Sequence, residues 1–267
     1  MTHTSVPEVD EAAETGSRLV PAVERAVRVL DYLAGRSAPV GPAELGRVLA
    51  LPKSSLHGLL ATLTTLGLVT RHAGNDYSLG TRVLQWAGDF ASRSAIVAAF
   101  HAQATDEKDL ASETLMLATL EGRDVIYLAC RQGASPLAVN FQVGGRFPAS
   151  CTSSGKAILS GLPPARVSAL YARTGLRALT GHSLTSLPAL QNALEHVRTS
   201  GYATDDEETA EGMFCLAAPI RAAGQTDAGS AVAVGLIKAT MTPARHAQMK
   251  DAISRLAARL SARLGAR

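Results

Sequence analysis

The segment between Gly41 and Gly80 constrains the fold of this chain more than any other. An amphipathic stretch over Pro42–Ala50 is followed by the step Leu51-Pro52, and proline disfavours helical geometry in the residue before it. A second, leucine-rich stretch begins at Lys53. The spacing of the apolar residues predicts a helix, a tight turn, a second helix and then a small hairpin. This order of elements is that of a winged helix-turn-helix.

A further helix is predicted ahead of this segment, over Pro21–Ala34, and proline suits its first turn because the missing N–H costs nothing there. The residues expected to face the core are Val23, Val27, Leu30 and Leu33 in this helix, Leu45, Val48 and Leu49 in the next, and Leu56, Leu59, Leu60, Leu63 and Leu66 in the third. A serine hydroxyl after Lys53 is expected to cap the third helix, and Gly67 to end it. The wing strands are predicted over residues 68–70 and 76–79.

This arrangement predicts contact with DNA, because the second helix of such a unit places its N-terminal residues in the major groove. The side chains predicted to contact DNA are Lys53, Ser54, Ser55, His57 and Thr62 on the helix, with Arg71 and His72 on the wing. Residues 17–82 carry eight Lys or Arg against four Asp or Glu, an excess of +4 where the whole chain has +3. Local positive charge supplies the salt-dependent part of DNA affinity. The alternative is an ordinary three-helix module with a solvated basic face.

Length and composition indicate a two-domain globular protein. The chain has 267 residues, and no apolar run is long enough to cross a bilayer. A secretory signal is not expected, because the N-terminus lacks a basic region followed by an apolar stretch. Three widely spaced cysteines argue against a disulfide framework and for a reducing cytoplasm. Residues 1–18 are polar and acidic and are predicted to form a disordered arm.

The remainder of the chain predicts an α+β sensor domain. Residues 81–99 have a helical pattern and are expected to form a linker helix between a DNA-binding domain at 19–80 and a second domain at 100–267. Strands are predicted over 114–120, 124–131, 137–143, 215–221 and 230–238. Helices are predicted at 164–173, at 187–199 between a Ser186 cap and a Gly201 stop, and after a Thr242 cap. A loop of small polar residues over 150–155 opens a further helix.

Several short motifs, taken in order, resemble those of the IclR family of bacterial transcription regulators. They are Val23–Leu30, Leu51–Ser54, Gly144–Pro148, Ser154–Ala157, Gly201-Tyr202, and Asp205–Glu208 followed by Gly212 and Cys215. The resemblance implies an N-terminal winged helix, a linker helix and a C-terminal GAF-like α/β effector domain. It also implies a dimer or tetramer that binds pseudo-palindromic double-stranded DNA, and a small organic effector that changes this binding.

The resemblance also implies an effector site, whose residues would be Phe147, Ser153, Ser154, Asp205, Cys215, Ala233 and Gly235. Free N–H groups at Ser153–Gly155 could stabilise a carboxylate at the start of a helix, and Cys151 and Thr152 could add donors. The alternative is that this loop is merely a well-capped helix start. Many relatives carry hydroxyl residues at 233 and 235, and an arginine where this chain has Gly58. These differences predict a roomier, more apolar site and one DNA contact fewer.

Four patterns resemble chemical sites without completing them. Ser153-x-x-Lys156 lacks the partner motifs of a serine β-lactamase, and the glycine and lysine at 155–156 lack the remainder of a P-loop. Four acids over 205–208 have no His or Cys at ligand spacing and are interpreted as a solvated turn. Cys215 is interpreted as core packing rather than as a redox switch. No catalytic residue, metal or cofactor is therefore predicted.

The leading hypothesis is a ligand-responsive transcription regulator, a repressor controlled by a small organic acid or an aromatic compound. An activator of a catabolic operon is the nearest alternative. A hydrolase-like enzyme with a vestigial winged helix, using Ser153 or Cys215 as nucleophile, is the alternative of another class. A DNA-binding redox or structural protein without a small ligand is a third. The protein is expected in the cytoplasm, without a membrane partner.

Overall fold

The structure is a computed structural model that describes residues 19–134, 141–222 and 229–266. The chain divides into two compact units, with the boundary between Phe90 and Ala91. Within the described ranges, no helix is both long and apolar enough to cross a membrane. The first unit contains the predicted winged helix-turn-helix, and the second is the mixed α/β domain.

The first unit follows the predicted order of elements. It consists of α1 (Pro21–Ala34), α2 (Pro42–Val48), α3 (Lys53–Thr65), β1 (Val69–Arg71), β2 (Tyr77–Leu79) and the start of α4 (Arg82–Arg93). The strands β1 and β2 pair antiparallel, and Val40 adds an isolated bridge to Tyr77. The bounds of α1 are those predicted, and the wing strands begin one residue later than predicted.

The apolar stripe predicted for α1 is wrong in its first half. Val23 and Val27 are 61% and 45% exposed, and the buried residues of the helix are Val29, Tyr32 and Leu33. Two apolar stripes at helical spacing share this helix, and only one can face the core. Periodicity identifies both stripes, whereas packing against the rest of the unit selects one of them.

The helix α2 ends two residues before its predicted end. Ala50 adopts a left-handed backbone with a φ of 52°, and the N–H of Leu51 donates to the Gly46 carbonyl at 3.0 Å. This reversal closes the last turn in the manner of a helix C-cap. Leu45 is buried as predicted, but Val48 is 44% exposed, so the prediction that Val48 faces inward is wrong.

The helix α3 buries Leu56, Leu60 and Leu63 as predicted, whereas Leu66 is 46% exposed, contrary to the prediction. The left-handed Gly67, with a φ of 72°, ends the helix as predicted. The glycine at position 80 lies against it: a Cβ on Gly80 would stand 2.2 Å from the Gly67 carbonyl oxygen. The wing can therefore return to the end of α3 only with glycine at position 80.

The second unit is a six-stranded antiparallel sheet between two helical layers, in the strand order β5-β4-β3-β8-β7-β6. Its elements are α5 (Ala95–Asp106), β3 (Thr114–Glu121), β4 (Asp124–Arg131), β5 (Arg146–Pro148), α6 (Ser153–Leu159), α7 (Pro164–Tyr171), α8 (Leu187–Ser200), β6 (Ala203–Asp206), β7 (Met213–Ile220), β8 (Ser230–Ile237) and α9 (Pro243–Arg263). One sheet face packs against α5 and α9. The other, which we call the α6 face, packs against α6, α7 and α8.

The second half of the chain departs from the predictions in two elements. The single linker helix predicted over 81–99 is two helices, α4 and α5, separated at Ser94, which is the extended N-cap residue of α5. The strand predicted over 137–143 lies largely outside the described residues, and residues 141–143 are not in a strand. The third strand is β5 instead, which pairs with β4. The caps of α8 and α9 by Ser186 and Thr242 are confirmed.

Candidate functional sites

The N-terminus of α3 is open to an anion. Its N-cap residue is Pro52, which offers no side-chain acceptor, so the predicted serine cap is wrong. Since the helix already begins at Lys53, Ser54 and Ser55 lie inside its first turn. The N–H groups of this turn receive no side-chain cap, and the helix dipole places partial positive charge there. This is the arrangement by which a helix binds a phosphate group.

All five residues predicted to contact DNA from α3 are exposed. Lys53, Ser54, Ser55, His57 and Thr62 lie at solvent-accessible positions, while the buried leucines of the helix occupy its opposite side. The Thr62 hydroxyl donates to the Gly58 carbonyl at 2.9 Å, so its oxygen is left as an acceptor. A Cβ built at Gly58 meets nothing within 4 Å. The fold therefore does not require glycine on this surface.

The wing places the two remaining predicted residues at its tip. Arg71 is the exposed last residue of β1, opposite Tyr77. His72 follows at the turn, where its N–H donates to the Asp76 carbonyl at 2.8 Å. Its Nε2 lies 2.9 Å from the Ser78 hydroxyl. The contact with Ser78 holds the imidazole on the wing, and Arg71 presents an exposed guanidinium.

In the second unit, strand register brings three of the predicted effector residues into one row. Asp205 pairs with Cys215, Cys215 with Gly235, and Gly235 with Thr114, so the row crosses β6, β7, β8 and β3. Ala233 lies in the next row of the same face, beside Ala217 and Met116. Residues 205, 215 and 235, far apart in sequence, are therefore neighbours on the α6 face.

The helix α6 covers this row, and all seven of its residues are buried. Ser153 and Ser154 therefore lie in the interior, as the proposed site requires. The helix start is capped from within, because the Gly155 N–H donates to the Thr152 hydroxyl at 3.0 Å. The prediction that Gly155 offers a free N–H to a ligand is wrong. The Ser154 Oγ is buried and has no partner within ordinary hydrogen-bond distance among the described residues, although a weaker interaction with the Tyr127 hydroxyl lowers the pKa of that tyrosine.

Of the two other donors predicted near α6, Cys151 donates locally and Thr152 acts as an acceptor. The Cys151 thiol contacts the Arg177 carbonyl at 3.1 Å. The Thr152 oxygen accepts the cap bond from Gly155. A Cβ on Gly155 would stand 2.2 Å from the Ala149 carbonyl oxygen, so glycine is needed where the loop passes over the helix start. The loop is thus a well-capped helix start, and the cap does not use the hydroxyl of Ser154.

Asp205 is buried and organises the turn after β6. Its Oδ1 accepts from the N–H groups of Glu208 and Thr209 at 2.8 and 3.2 Å. Its Oδ2 accepts from the Thr209 hydroxyl at 2.6 Å. Burial nevertheless raises the pKa of the carboxyl, and the bonds from Thr209 and the nearby Lys156 oppose this rise. The solvated-turn interpretation is therefore wrong for Asp205.

Lys156 and Glu208 form a buried ion pair that the sequence did not predict. The Lys156 ammonium donates to the Glu208 carboxylate, and the two side chains are 4% and 10% exposed. Burial raises the pKa of Glu208, and Lys156 lowers it. The Oε2 of Glu208 has no hydrogen-bond partner among the described residues. The signal in the sequence was the one charged residue of a helix whose other residues are small or apolar, since such a charge needs a buried partner.

Two aromatic residues that were not predicted join Phe147 on the α6 face. The ring centroid of Tyr127 lies 5.3 Å from that of Phe141 and 5.4 Å from that of Phe147. Phe141 and Phe147 are 6.2 Å apart and nearly perpendicular. Burial raises the pKa of Tyr127 well above its ordinary value, as do Cys215 and Asp205, while Ser154 lowers it. Tyr127 and Phe141 belong to the same buried cluster as the predicted site residues Cys215 and Ala233, and Phe147 packs against it.

The chemistry of Cys215 does not suit a nucleophile. The residue is 3% exposed, and burial raises the pKa of its thiol well above the ordinary value, with a further rise from Asp205. A thiol reacts as the thiolate, so this environment makes it inert. Among the described residues, no three His, Cys, Asp or Glu side chains are grouped in a way that could hold a metal ion.

Comparison with known proteins covers both units. Residues 22–73 match the IclR helix-turn-helix domain, and residues 89–262 match the C-terminal domain of bacterial transcriptional regulator IclR. A probable transcriptional regulator SauR from Cupriavidus necator is 35% identical, over 83% of this chain and 88% of its own length.

Solved structures agree with this assignment. The repressor BlcR of Agobacterium tumefaciens is 36% identical and superposes with a TM-score of 0.59, over 92% of this chain and 97% of that one. An IclR homologue from Microbacterium hydrocarbonoxydans, complexed with 4-hydroxybenzoate, has the same fold, with a TM-score of 0.77 at 22% identity over 92% and 100% of the two chains. The relatives are regulators, which contradicts the hydrolase hypothesis. This chain belongs to the IclR family and is a non-enzymatic, DNA-binding transcription regulator.

Proposed function

We propose that the protein represses transcription by placing the N-terminus of α3 in the major groove of its operator. The observation that carries this proposal is the uncapped, exposed first turn of α3, where Lys53, Ser54 and Ser55 surround free N–H groups. Lys53 and the helix dipole suit phosphate, whereas the serines and His57 suit base edges or phosphate. Thr62 and the wing residues Arg71 and His72 complete the proposed contact surface.

Self-association is the second part of the proposal. The helix α4 buries none of its residues within the chain, and its apolar Leu84, Trp86 and Phe90 are 69%, 52% and 57% exposed. The second apolar stripe of α1, at Val23 and Val27, is exposed as well. Exposed apolar helix faces of this kind mark interaction sites. A second copy of the chain covering them gives a dimer, and a dimer needs a pseudo-palindromic operator.

The effector is proposed to bind on the α6 face, among Phe147, Ser153, Ser154, Asp205, Cys215, Ala233 and Gly235. A small organic acid or an aromatic compound is the class expected, and the 4-hydroxybenzoate in the Microbacterium relative supports the aromatic class. Binding would favour one dimer arrangement and so change the spacing of the two α3 helices. The division into residues 19–80 for DNA, 81–99 as linker and 100–267 for the effector belongs to this proposal.

The site of action is proposed to be the cytoplasm, where the DNA is. Three free cysteines, Cys130, Cys151 and Cys215, agree with a reducing compartment.

The test is binding of the full chain to the DNA upstream of its own gene, at fixed near-physiological salt, against random DNA of equal length. We expect a preference for the upstream DNA, a loss of affinity in Lys53→Ala, and a change on adding one compound from a panel of aromatic and carboxylic compounds. A reporter behind the same DNA decides between repression and activation. Equal affinity for both DNAs would overturn the proposal.

A further inference from the structure

The chain returns to the end of α3 before it enters α4. The N–H of Gly80 donates to the Leu68 carbonyl at 2.8 Å, and the N–H of Arg82 donates to the Gly67 carbonyl at 3.3 Å. Since α4 begins at Arg82, its first residue is bonded directly to the residue that ends α3. We call this region, which consists of Leu66, Gly67, Leu68, Gly80 and Arg82, the α3–α4 joint.

The side chain of Arg82 contacts both helices at this joint. Its Nη1 donates at 2.8 Å to the carbonyl of Leu66, the C-cap residue of α3. Carbonyls at the end of a helix lack partners within the helix and carry partial negative charge, which suits a cation. The same guanidinium lies 5.4 Å from the ring centroid of Trp86, one turn further along α4, within the range of a cation–π contact. Arg82 therefore connects the end of α3 with the first turn of α4.

Packing contributes little to the direction of α4. The helix buries none of its residues, and Val83 is only partly buried where it packs against the core of the first unit. A hydrogen bond at the surface, such as that from Arg82 to Leu66, adds little to the free energy of unfolding, because water competes for both groups. Its main effect is therefore on the angle between α3 and α4.

A small change of this angle has a large effect at the other end of the helix. The helix α4 has 12 residues and is therefore about 18 Å long, so a rotation of about 10° at the joint moves its far end by about 3 Å. The rise of one DNA base pair is about 3.4 Å. The angle at the joint must consequently be fixed if two copies held together through α4 are to place their α3 helices at one defined spacing.

We propose that Arg82 is a positioning residue that fixes the angle between α4 and α3, and so couples self-association through α4 to the spacing of the two α3 helices on DNA. Arg82 acts through the Leu66 carbonyl and the Trp86 ring and does not itself contact DNA. This inference rests on the proposed function, in which α3 contacts the operator and α4 contributes to the contact between two copies.

The test uses the upstream DNA segment that the wild-type protein protects in a footprint, and the same segment with one base pair inserted at its centre. The insertion turns one half of the site by about 35° relative to the other half. We expect it to weaken wild-type binding by about tenfold, a usual size for coupling between two sites. Arg82→Lys should be weakened by about threefold or less, because one ammonium does not replace a planar guanidinium that both donates and stacks.

Two further variants separate positioning from other roles. Arg82→Ala should leave the slope of log affinity against log salt unchanged, whereas a phosphate contact would lower that slope by about one. Arg36→Ala is the matched control, because the Arg36 guanidinium likewise lies 4.3 Å from a ring centroid, that of Tyr32, and donates to its hydroxyl. These contacts involve neither α3 nor α4, so Arg36→Ala should respond to the insertion as the wild type does. Sedimentation velocity should show unchanged self-association in all three variants.

The outcomes distinguish this inference from the proposed function. A smaller effect of the insertion in the Arg82 variants than in the wild type and Arg36→Ala supports the inference. The same effect in all four proteins overturns it, and so does a lower salt slope or a loss of self-association in an Arg82 variant. A wild-type protein that prefers the upstream DNA but tolerates the insertion also overturns the inference and leaves the regulator in place. Absence of that preference in the wild type would overturn the proposed function itself.

Discussion

The ammonium of Lys156 and the carboxylate of Glu208 form an ion pair in the interior of the second unit, across 52 residues of sequence. The pair ties α6, which covers the α6 face, to the turn after β6 that Asp205 organises. Any movement of this helix relative to the turn must therefore move or break a buried charge contact. The pair is a rigid boundary of the proposed effector site rather than a group free to bind a ligand.

Removal of one partner of this pair should be strongly destabilising. Lys156→Met leaves the Glu208 carboxylate buried without a cation, and breaking a buried pair costs about 3–5 kcal/mol. The double variant Lys156→Met/Glu208→Leu removes both charges and should recover most of that loss. Urea unfolding followed by far-UV circular dichroism measures the free energy of unfolding of the single and the double variant. A single variant as stable as the double would show that the two charges do not interact.

Asp205 should make the stability of the second unit depend on pH. Burial raises its pKa in the folded state, above the ordinary 3.8. The folded protein then holds the proton more tightly than the unfolded chain, so stability falls as pH rises from about 3.8 through the folded pKa. Asp205→Asn should remove this contribution. The urea midpoint, measured across that pH range, checks the sign of this pH dependence. The midpoint would rise with pH if the folded state lowered the pKa of Asp205.

Gly58→Arg should strengthen DNA binding. A side chain at position 58 meets nothing within 4 Å, and the position lies on the exposed side of α3. One additional phosphate contact should steepen the dependence of log affinity on log salt by about one. Replacing a helix-interior glycine should also stabilise the unit by about 1 kcal/mol. Gly58→Ala separates the two effects, because it should raise stability without changing the salt slope.

Gly80→Ala should disrupt the wing. The new Cβ would stand 2.2 Å from the Gly67 carbonyl oxygen, which is backbone and cannot turn aside. A clash of this kind costs about 2 kcal/mol or more and should weaken DNA binding as the wing shifts. Gly88→Ala is the matched control, since its Cβ meets nothing within 4 Å in α4. The two substitutions should shift the melting temperature in opposite directions, downward for Gly80→Ala. Similar shifts would contradict the close approach of position 80 to the Gly67 carbonyl oxygen.

Trp86 should report self-association. It is the only tryptophan in the chain, it is 52% exposed, and the Arg82 guanidinium lies 5.4 Å from its ring centroid. If a second copy covers α4, the fluorescence of Trp86 should shift to longer wavelength as the protein is diluted and the side chain becomes exposed to water. Phe90→Ser should move this transition to higher concentration, because it removes an exposed apolar side chain of the same helix. Sedimentation velocity of both proteins provides the independent check.

Local signals in the sequence predicted the order of elements and most of their ends. Pro21, Pro52 and Gly67 act on their own neighbours, so the bounds of α1, the break before α3 and its end followed from chain chemistry alone. The seven candidate DNA contacts also lie at exposed positions, because a helix start and a wing tip are local features. The order and spacing of the short motifs indicated the IclR family.

Local signals did not predict which face of each element is buried. Val23 and Val27 repeat at helical spacing as well as the buried Val29 and Leu33 do, and only packing separates the two stripes. The four acids at 205–208 are adjacent in sequence, yet Asp205 and Glu208 are buried and Asp206 is exposed. Tyr127 and Phe141 were missed because nothing near them in sequence marks a site.

The sequence by itself determined that this chain forms a winged helix-turn-helix followed by an α/β domain, and that it belongs to the IclR family. The tertiary structure decided which side chains meet: the row of Asp205, Cys215 and Gly235, the Lys156–Glu208 pair and the ring contacts of Tyr127 with Phe141 and Phe147. The reason is physical. Caps, turns and periodicity act over a few residues, whereas strand register and burial join segments that the chain itself leaves far apart.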